Sequence, residues 1–448
     1  MRSYNGLHTT RKIDSKSVRN MDNIYIMESL NEYNKKTRGE LIALCKTRGL
    51  KKYSGKSKGD ICKLLQGVDS VPVSESGGSG NLESETQFVF QTMLTCIGNK
   101  RKLVSHIRGI VDEVRGVLQK DRLNLVDGFA GSTVVSRELS KVATRLYTND
   151  LERYSYLMAQ CFLVPPSAEQ RVNVEEHIAE MNRLAESGPY VEGIVCRLYA
   201  PKDTENIQEG ERCFYTRENA LIIDTLRQYI RDRVDPAIEN YCLVPLLNKA
   251  SIHTNTAGVF KGFYKDGSVG CFGGKARTAL SRIMKPIRVE VPLWSDAPYT
   301  CIPSNRDVNA WLGELPGDID VIYLDPPYNQ HPYGSNYFML NVIAKNEEPG
   351  EISAVSGIPV RWNKSRYNTR RTAVDSMKDL LATGLTKSKY ILLSYNNEGI
   401  ITTDDWKTLF EPYVVKKYEI AYDTYKGSRN LKNRSDKVVE IMYLITNK

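Results

Sequence analysis

The residues best suited to chemistry are Asp325, Pro326, Pro327 and Tyr328, which close the apolar run Val321-Ile322-Tyr323-Leu324. Such a run reads as a buried strand, and a carboxylate at the carboxyl edge of a parallel sheet faces whatever binds there. Two prolines stiffen the following turn and remove its backbone donors, so the Asp325 side chain and the Pro326 carbonyl stand as two acceptors converging on one incoming group. An amine with two N–H groups satisfies both, and Tyr328 offers a ring face to the aromatic system that carries it. An exocyclic ring amine is poorly nucleophilic because its lone pair is delocalised. Hydrogen bonds from its N–H groups localise that pair as the nitrogen attacks, so they strengthen in the transition state and raise rate rather than affinity alone. No enzyme nucleophile is needed. A lone Asp-Pro-Pro-Tyr also occurs as a chance strand-end turn, so the reading rests on what surrounds it.

A second constellation lies earlier. Asp127-Gly128-Phe129-Ala130-Gly131-Ser132 follows the apolar LNLV and precedes a helix-like segment. Glycines there let the backbone approach a ligand. The G-x-G-x-x-G of a pyrophosphate site is absent, an acid and a phenylalanine occupying the loop instead. Asp150 ends the next strand, where a carboxylate can accept from ribose hydroxyls. Singly, each acid reads as a strand-end cap; paired at this spacing, they read as a nucleoside site without phosphates. Gly98-Asn99-Lys100-Arg101-Lys102 precedes the first strand and is either a capped turn or a backbone cradle for the carboxylate of an amino-acid-like ligand. The three loops together outline a site for S-adenosylmethionine.

The elements that must position these residues are α/β. LNLVDGFAG and ATRLYTND read as buried strands joined by the helix-like TVVSRELSKV, and further strands are expected at Ile319–Leu324 and Tyr390–Ser394. That is a Rossmann-like, open parallel sheet with helices on both faces. Residues 155–285 interrupt it with helical segments such as ENALIIDTLRQYIRDRV and the Gly-rich basic run GVFKGFYKDGSVGCFGGKAR. We read this as a largely helical insertion that serves target recognition, with 87–154 and 286–448 forming the catalytic domain.

The amino-terminal part differs. Residues 1–32 lack periodicity and read as a mobile tail. Ten Lys/Arg against Glu40 and Asp60 between residues 33 and 66 give a net +8 of the whole chain's +9, which points to a polyanionic partner. Leu41, Ile42, Leu44 and Cys45 form one helical stripe and Ile61, Leu64 and Leu65 a second. Thr37 and Glu40 form a capping box, and Gly49 is a stop. Residues 68–86, rich in Ser, Gly and Glu, read as a flexible linker. At 448 residues, 41% hydrophobic and 26% charged, the chain is globular with more than one folding unit. No apolar run reaches membrane-spanning length, and the polar amino terminus shows no secretory signal. Nine cysteines without C-x-x-C and five scattered histidines imply neither a metal site nor a disulfide framework. A soluble intracellular protein without metal is expected.

Two families are resembled. Residues 33–67 resemble a SAP module, the small helix–loop–helix DNA-binding unit, with Arg38, Lys51, Lys52, Lys56 and Lys58 tracking phosphates; a solvated basic hairpin is the alternative. Residues 87–448 resemble the D12-class adenine-N6 DNA methyltransferases. Gly98–Lys102, Asp127–Ser132, Asn149–Glu152 and Asp325–Asn329 match the family's motifs in order, and Tyr333–Tyr337, Leu393–Asn397 and Ser428–Arg434 match later segments. Cys96 departs from the family, which often has tyrosine before Ile-Gly, and this bears on cofactor packing. The resemblance implies S-adenosylmethionine, with its methionine end near Gly98, Lys102 and Gly131, its ribose at Asp150 and its adenine near Asp307, and with Asn99, Lys100, Asp127, Phe129 and Ser132 also among the cofactor-binding residues. It implies catalysis at Asp325, Pro326, Pro327 and Tyr328. By family habit, Asp rather than Ser at 325 favours adenine over the N4 amine of cytosine.

The partner implied is duplex DNA, whose target base must leave the stack to reach such a cleft. The resemblance leaves room for a cognate restriction endonuclease, and the SAP-like module implies a eukaryotic or eukaryotic-virus setting, in nucleus or cytoplasm. Readers are expected in Lys249–Arg277, including Lys261, and in the loop 329–370, with Arg361, Arg366, Arg370 and Arg371. Each arginine reads first as a phosphate contact. RNA as substrate, and an inert methyltransferase fold that only binds DNA, are the competing readings.

Overall fold

The computed structural model describes residues 37–47, 58, 61, 87–90, 94, 98, 100–277, 279–423 and 437–448. Contacts divide the chain into two units, Met1–Gly80 and Asn81–Lys448. In the first, the helix Arg38–Thr47 starts on the expected capping box: Thr37 N–H donates to Glu40 Oε2 at 2.6 Å and Glu40 N–H to Thr37 Oγ1 at 3.4 Å. Leu41 and Ile61, one from each apolar stripe, are both fully buried. Arg38 and Lys58 are exposed, while Lys51, Lys52, Lys56 and the helix stop at Gly49 lie outside the described residues.

The second unit is built on a seven-stranded sheet. In chain order its strands are β1 (Leu123–Asp127), β2 (Ala143–Asn149), β5 (Thr300–Ser304), β6 (Ile319–Leu324), β7 (Ser388–Asn396), β8 (Tyr413–Asp423) and β9 (Lys437–Asn447), with Lys265–Asp266 and Val269–Gly270 forming a separate hairpin as β3 and β4. The spatial order is β5-β2-β1-β6-β7-β9-β8. The first five strands are parallel and β9 inserts antiparallel between β7 and β8. All of β6 is buried because helices cover both of its faces. On one face Val104, Ile107, Val111 and Val114 of helix Val104–Leu118 join Val134, Val135 and Leu139 of helix Val134–Ser140. On the other, Val308, Trp311 and Leu312 pack with Met377, Leu380 and Leu381 of helix Arg370–Lys387. This is the Rossmann-like α/β fold expected, and its strand order reverses between β1 and β6, where open sheets bind ligands beyond the strands' carboxyl ends.

The register brings the chemistry-bearing residues to that edge. Asp127 pairs with Thr148 on one side and Tyr323 on the other, so Asp150 and Asp325 follow the two flanking strands at one level, each two residues beyond Asp127 on the strand between them. Between β2 and β5 the helices Ala168–Ser187, Ile194–Tyr199, Arg217–Arg233 and Glu239–Ile252 form their own apolar cluster, which also takes in Tyr337–Ala344. Asp224 fixes this body by accepting backbone N–H groups from Gly193, Val195 and Cys196 at 2.8–3.0 Å. Arg227 donates to the carbonyls of Ile343 and Ala344 at the end of helix Phe338–Lys345, tying the helical body to the segment that follows Asp325. Among the described residues no helix is long and apolar enough to cross a membrane, and no group of His, Cys, Asp and Glu could hold a metal ion.

Candidate active site

A cleft of about 1000 Å³, counting its open mouth, lies at the carboxyl edge over β1, β2 and β6. Its walls bring together most of the residues singled out from sequence: Gly98, Lys100, Asp127, Phe129, Gly131, Ser132, Asp150, Asp307, Asp325 and Pro327. Pro326 is buried and Tyr328 half-buried, and neither lines this cleft; the Tyr328 ring lies 5.9 Å from the Lys100 ammonium and edge-on to Tyr395. Asn99 lies outside the described residues. Lys102 is exposed and does not line the cleft, a departure from the expected cofactor contact. Lys261 is exposed with Nζ 3.2 Å from His331 Nδ1, and Arg361 and Arg366 are exposed in the segment between Tyr328 and helix Arg370–Lys387.

The first loop is shaped by close approach. Gly131 has φ +51° and its N–H donates to Asp150 Oδ2 at 2.8 Å, while the Glu152 N–H donates to Asp150 Oδ1 at 2.8 Å. Burial raises the Asp150 carboxyl above the usual range against these two bonds. A Cβ on Gly128 would come within 2.9 Å of Leu324 Cδ2, so glycine there lets β1 and β6 lie together as they turn outward. Gly98 has φ +77°, and a Cβ would come within 3.3 Å of the hydroxyls of both Tyr328 and Tyr333. Asp127 accepts from Ser136 Oγ at 2.5 Å and from Phe129 N–H at 3.3 Å, yet burial pushes it up to about 7.

Beyond Asp150, Asn149 clamps the next wall: its Nδ2 donates to the Arg306 carbonyl at 3.0 Å and its Oδ1 accepts the Arg306 N–H at 3.1 Å. Asp307, one residue on, caps helix Val308–Glu314 by accepting from Ala310 N–H at 3.3 Å. Its role as cap and its place in the cleft are compatible, because a carboxylate has acceptor sites to spare. Facing it, Tyr367 meets Phe129 edge to face at 5.4 Å and donates to Asn309 Oδ1 at 2.7 Å. Asn363 spans from the same loop to the Leu151 carbonyl at 3.0 Å. Glu152 lies beneath, accepting from Asn341 Nδ2 at 2.6 Å, and burial pushes it up to about 7. Sequence reasoning did not single out Tyr367, Asn363 or Glu152 as lining residues.

At the turn after β6, Lys100 reaches the cleft with its ammonium held between two carboxylates: Nζ is 2.8 Å from Asp325 Oδ1 and 2.9 Å from Glu440 Oε1. A lysine only 5% exposed must be paired, and these two carboxylates are the counter-ions it has. Burial works against its charge, but Asp325 and Glu440 outweigh burial and hold Lys100 well above the usual lysine range. Asp325 is raised to about 6, by burial first and by Glu440, with Lys100 pulling the other way.

The profile of the D12 class N6 adenine-specific DNA methyltransferases matches residues 97–280 and 301–409, more than half of the chain. The chain belongs to this family. It is similar to Type II methyltransferase M.CviAII of Paramecium bursaria Chlorella virus 1, at 28% identity over 321 residues, 71% of this chain and 87% of the relative. Similarity to Type II methyltransferase M.NlaIII of Neisseria lactamica is 26% over 360 residues, covering 78% and 98% of the two chains. Similarity to Modification methylase StsI of Streptococcus sanguinis is 26% over 368 residues, covering 79% and 52%. The enzyme is therefore a DNA adenine-N6 methyltransferase, and family membership implies S-adenosylmethionine as its methyl donor. The cleft fits that group: glycines at 98 and 131 with positive φ open its floor, Asp150 after β2 is a carboxylate that would accept from ribose hydroxyls, and Phe129 with Tyr367 forms an aromatic wall.

Proposed function

We propose that this enzyme methylates the N6 amine of an adenine turned out of duplex DNA, with Asp325 and the Pro326 carbonyl as the two acceptors. The observation that carries the reading is the convergence of Asp127, Asp150 and Asp325, from the ends of three neighbouring strands, on one nucleoside-sized cleft at the turn after β6. S-adenosylmethionine, when bound, supplies a methyl carbon attached to a positively charged sulfur. Asp150 and Gly131 hold the ribose end, Phe129 and Tyr367 flank the adenine ring of the cofactor, and Asp307 stands at that end of the cleft. Asp325 and Pro326 take one N–H each from the target amine, and Tyr328 stacks on the target ring. As the N6 lone pair bonds to carbon, Asp325 stabilises the charge that nitrogen gains before it sheds a proton. A base within a duplex cannot reach two acceptors at a strand end, so turning it out is part of the reaction, at a cost of a few kcal/mol repaid by stacking.

The exposed cations Lys261, Arg361 and Arg366 flank the segment after the turn and suit phosphate contacts that set register. The helical body at 155–285 is the candidate reader of sequence, and the basic amino-terminal segment is a SAP-like tether that raises local DNA concentration. The test is transfer of labelled methyl to DNA followed by digestion to nucleosides. Label in N6-methyldeoxyadenosine is expected; label on cytosine, or on RNA and not DNA, would overturn the reading.

A further inference from the structure

Glu440 is 1% exposed and sits on β9, paired with Asn396 of β7 and so level with the catalytic turn. Its Oε1 accepts from Ser394 Oγ at 2.7 Å and from the Lys100 ammonium at 2.9 Å. A buried carboxylate in a strand interior is costly, and an apolar residue would suit the position better if packing alone were served. Lys100 makes its other ion pair on Oδ1 of Asp325, which leaves Oδ2 of that carboxylate for the amine.

We propose that Glu440 is a positioning residue of the transfer reaction: it anchors Lys100 on one oxygen of Asp325 and restores net negative charge where the amine turns cationic. The inference rests on the reading of Asp325 as an acceptor. Lys100 alone would neutralise Asp325, leaving no net charge to favour a cationic nitrogen. One ammonium between two ionised carboxylates carries a net charge of −1, so the triad both fixes Asp325 and attracts the charge that develops. Lys100 comes from the loop before helix Val104–Leu118, Asp325 from the end of β6 and Glu440 from β9, so segments far apart in the sequence meet at one ammonium nitrogen.

The groups facing Asp325 are Lys100, Glu440, Tyr323 on its own strand, Tyr328 on its turn and Asp127 on β1. Of these, Glu440 raises its proton affinity and Lys100 lowers it. Removing Glu440's charge therefore moves the acid limb of the rate profile to lower pH while slowing transfer.

The test is Glu440→Gln in the full chain, with single-turnover methylation across pH and cofactor affinity measured side by side with Asp325→Ala. A loss of about 10-fold is expected, the size of a unit charge a few ångströms past the first acceptor at an effective dielectric of about 20. The acid limb should shift down and cofactor affinity should hold. A wild-type rate and limb would overturn the proposal, as would a rate loss matched by cofactor affinity with the limb unmoved. If Glu440→Gln does not fold, Glu440→Asp keeps the charge, and a rate within about 3-fold of wild type is expected because charge, not shape, is what it supplies. Complete loss in Glu440→Asp would overturn it. Transfer persisting in Asp325→Ala would bring down the acceptor reading itself; transfer lost there but unchanged in Glu440→Gln would bring down this inference alone.

Discussion

Asp325→Asn keeps the shape of the side chain and one acceptor oxygen but removes the charge, which isolates the electrostatic part of catalysis. In the wild type the carboxylate is 17% exposed and held by Lys100 at 2.8 Å, so the substitution needs no repacking. A charge-assisted hydrogen bond exceeds a neutral one by about 1–1.5 kcal/mol. About half a unit of charge developing on a nitrogen roughly 4 Å away, at an effective dielectric of about 20, adds about 2 kcal/mol. Together, about 3 kcal/mol corresponds to a rate loss of about 100-fold, since each 1.36 kcal/mol is tenfold. Asp150, Gly131, Phe129 and Tyr367 are untouched, so cofactor affinity should stay within about 3-fold. The assay is single-turnover transfer of labelled methyl at saturating DNA, with cofactor binding followed by calorimetry. A loss below about 5-fold, or an equal loss of cofactor affinity, would refute the reasoning.

Three further outcomes follow from the same geometry. Since the ionised form of Asp325 is the acceptor and its pKa is about 6, single-turnover rate should rise as pH passes through that value and level off above it; a flat profile between pH 5 and pH 8 would contradict this. Asp127 has a folded pKa of about 7 against about 3.9 unfolded, so the folded state binds the extra proton and stability falls as pH rises between those values. Asp127→Asn should flatten that part of the stability profile in denaturant titrations, and an unchanged slope would count against a buried, proton-holding Asp127. Gly98→Ala must hold φ +77° and place its Cβ 3.3 Å from two tyrosine hydroxyls, so a stability loss of about 1–2 kcal/mol with slower transfer is expected, measured by thermal unfolding and turnover.

What could be read ahead of the structure follows from how local each signal is. Asp127 and Asp325 were legible because each closes a short apolar strand and is followed by glycine or proline, which announce the edge of a sheet; Gly131 was legible from the glycine-rich loop after Asp127, and Asp150 from its place at the end of the next strand. The βαβ alternation gave the parallel core for the same reason. Lys100 was legible only as part of its loop, since its two counter-ions lie hundreds of residues away and only the assembled sheet brings them near. Glu440 was invisible: amid VVEIMYLIT it breaks an apolar run without a turn or glycine to flag it. The antiparallel pairing of β9 between β7 and β8 is likewise a matter of long-range partners. Tyr367 joins the cleft by packing on Phe129, a contact that spacing cannot report. Lys102 looked equivalent to Lys100, but only the latter turns inward.

The most direct test is a structure of the enzyme with DNA containing its target site and the demethylated cofactor product. The account predicts an extrahelical adenine with N6 within hydrogen-bond distance of Asp325 Oδ2 and the Pro326 carbonyl, and the cofactor sulfur on the side of N6 facing Asp150. An adenine seated elsewhere, or a cofactor whose sulfur cannot approach N6 from this cleft, would contradict it.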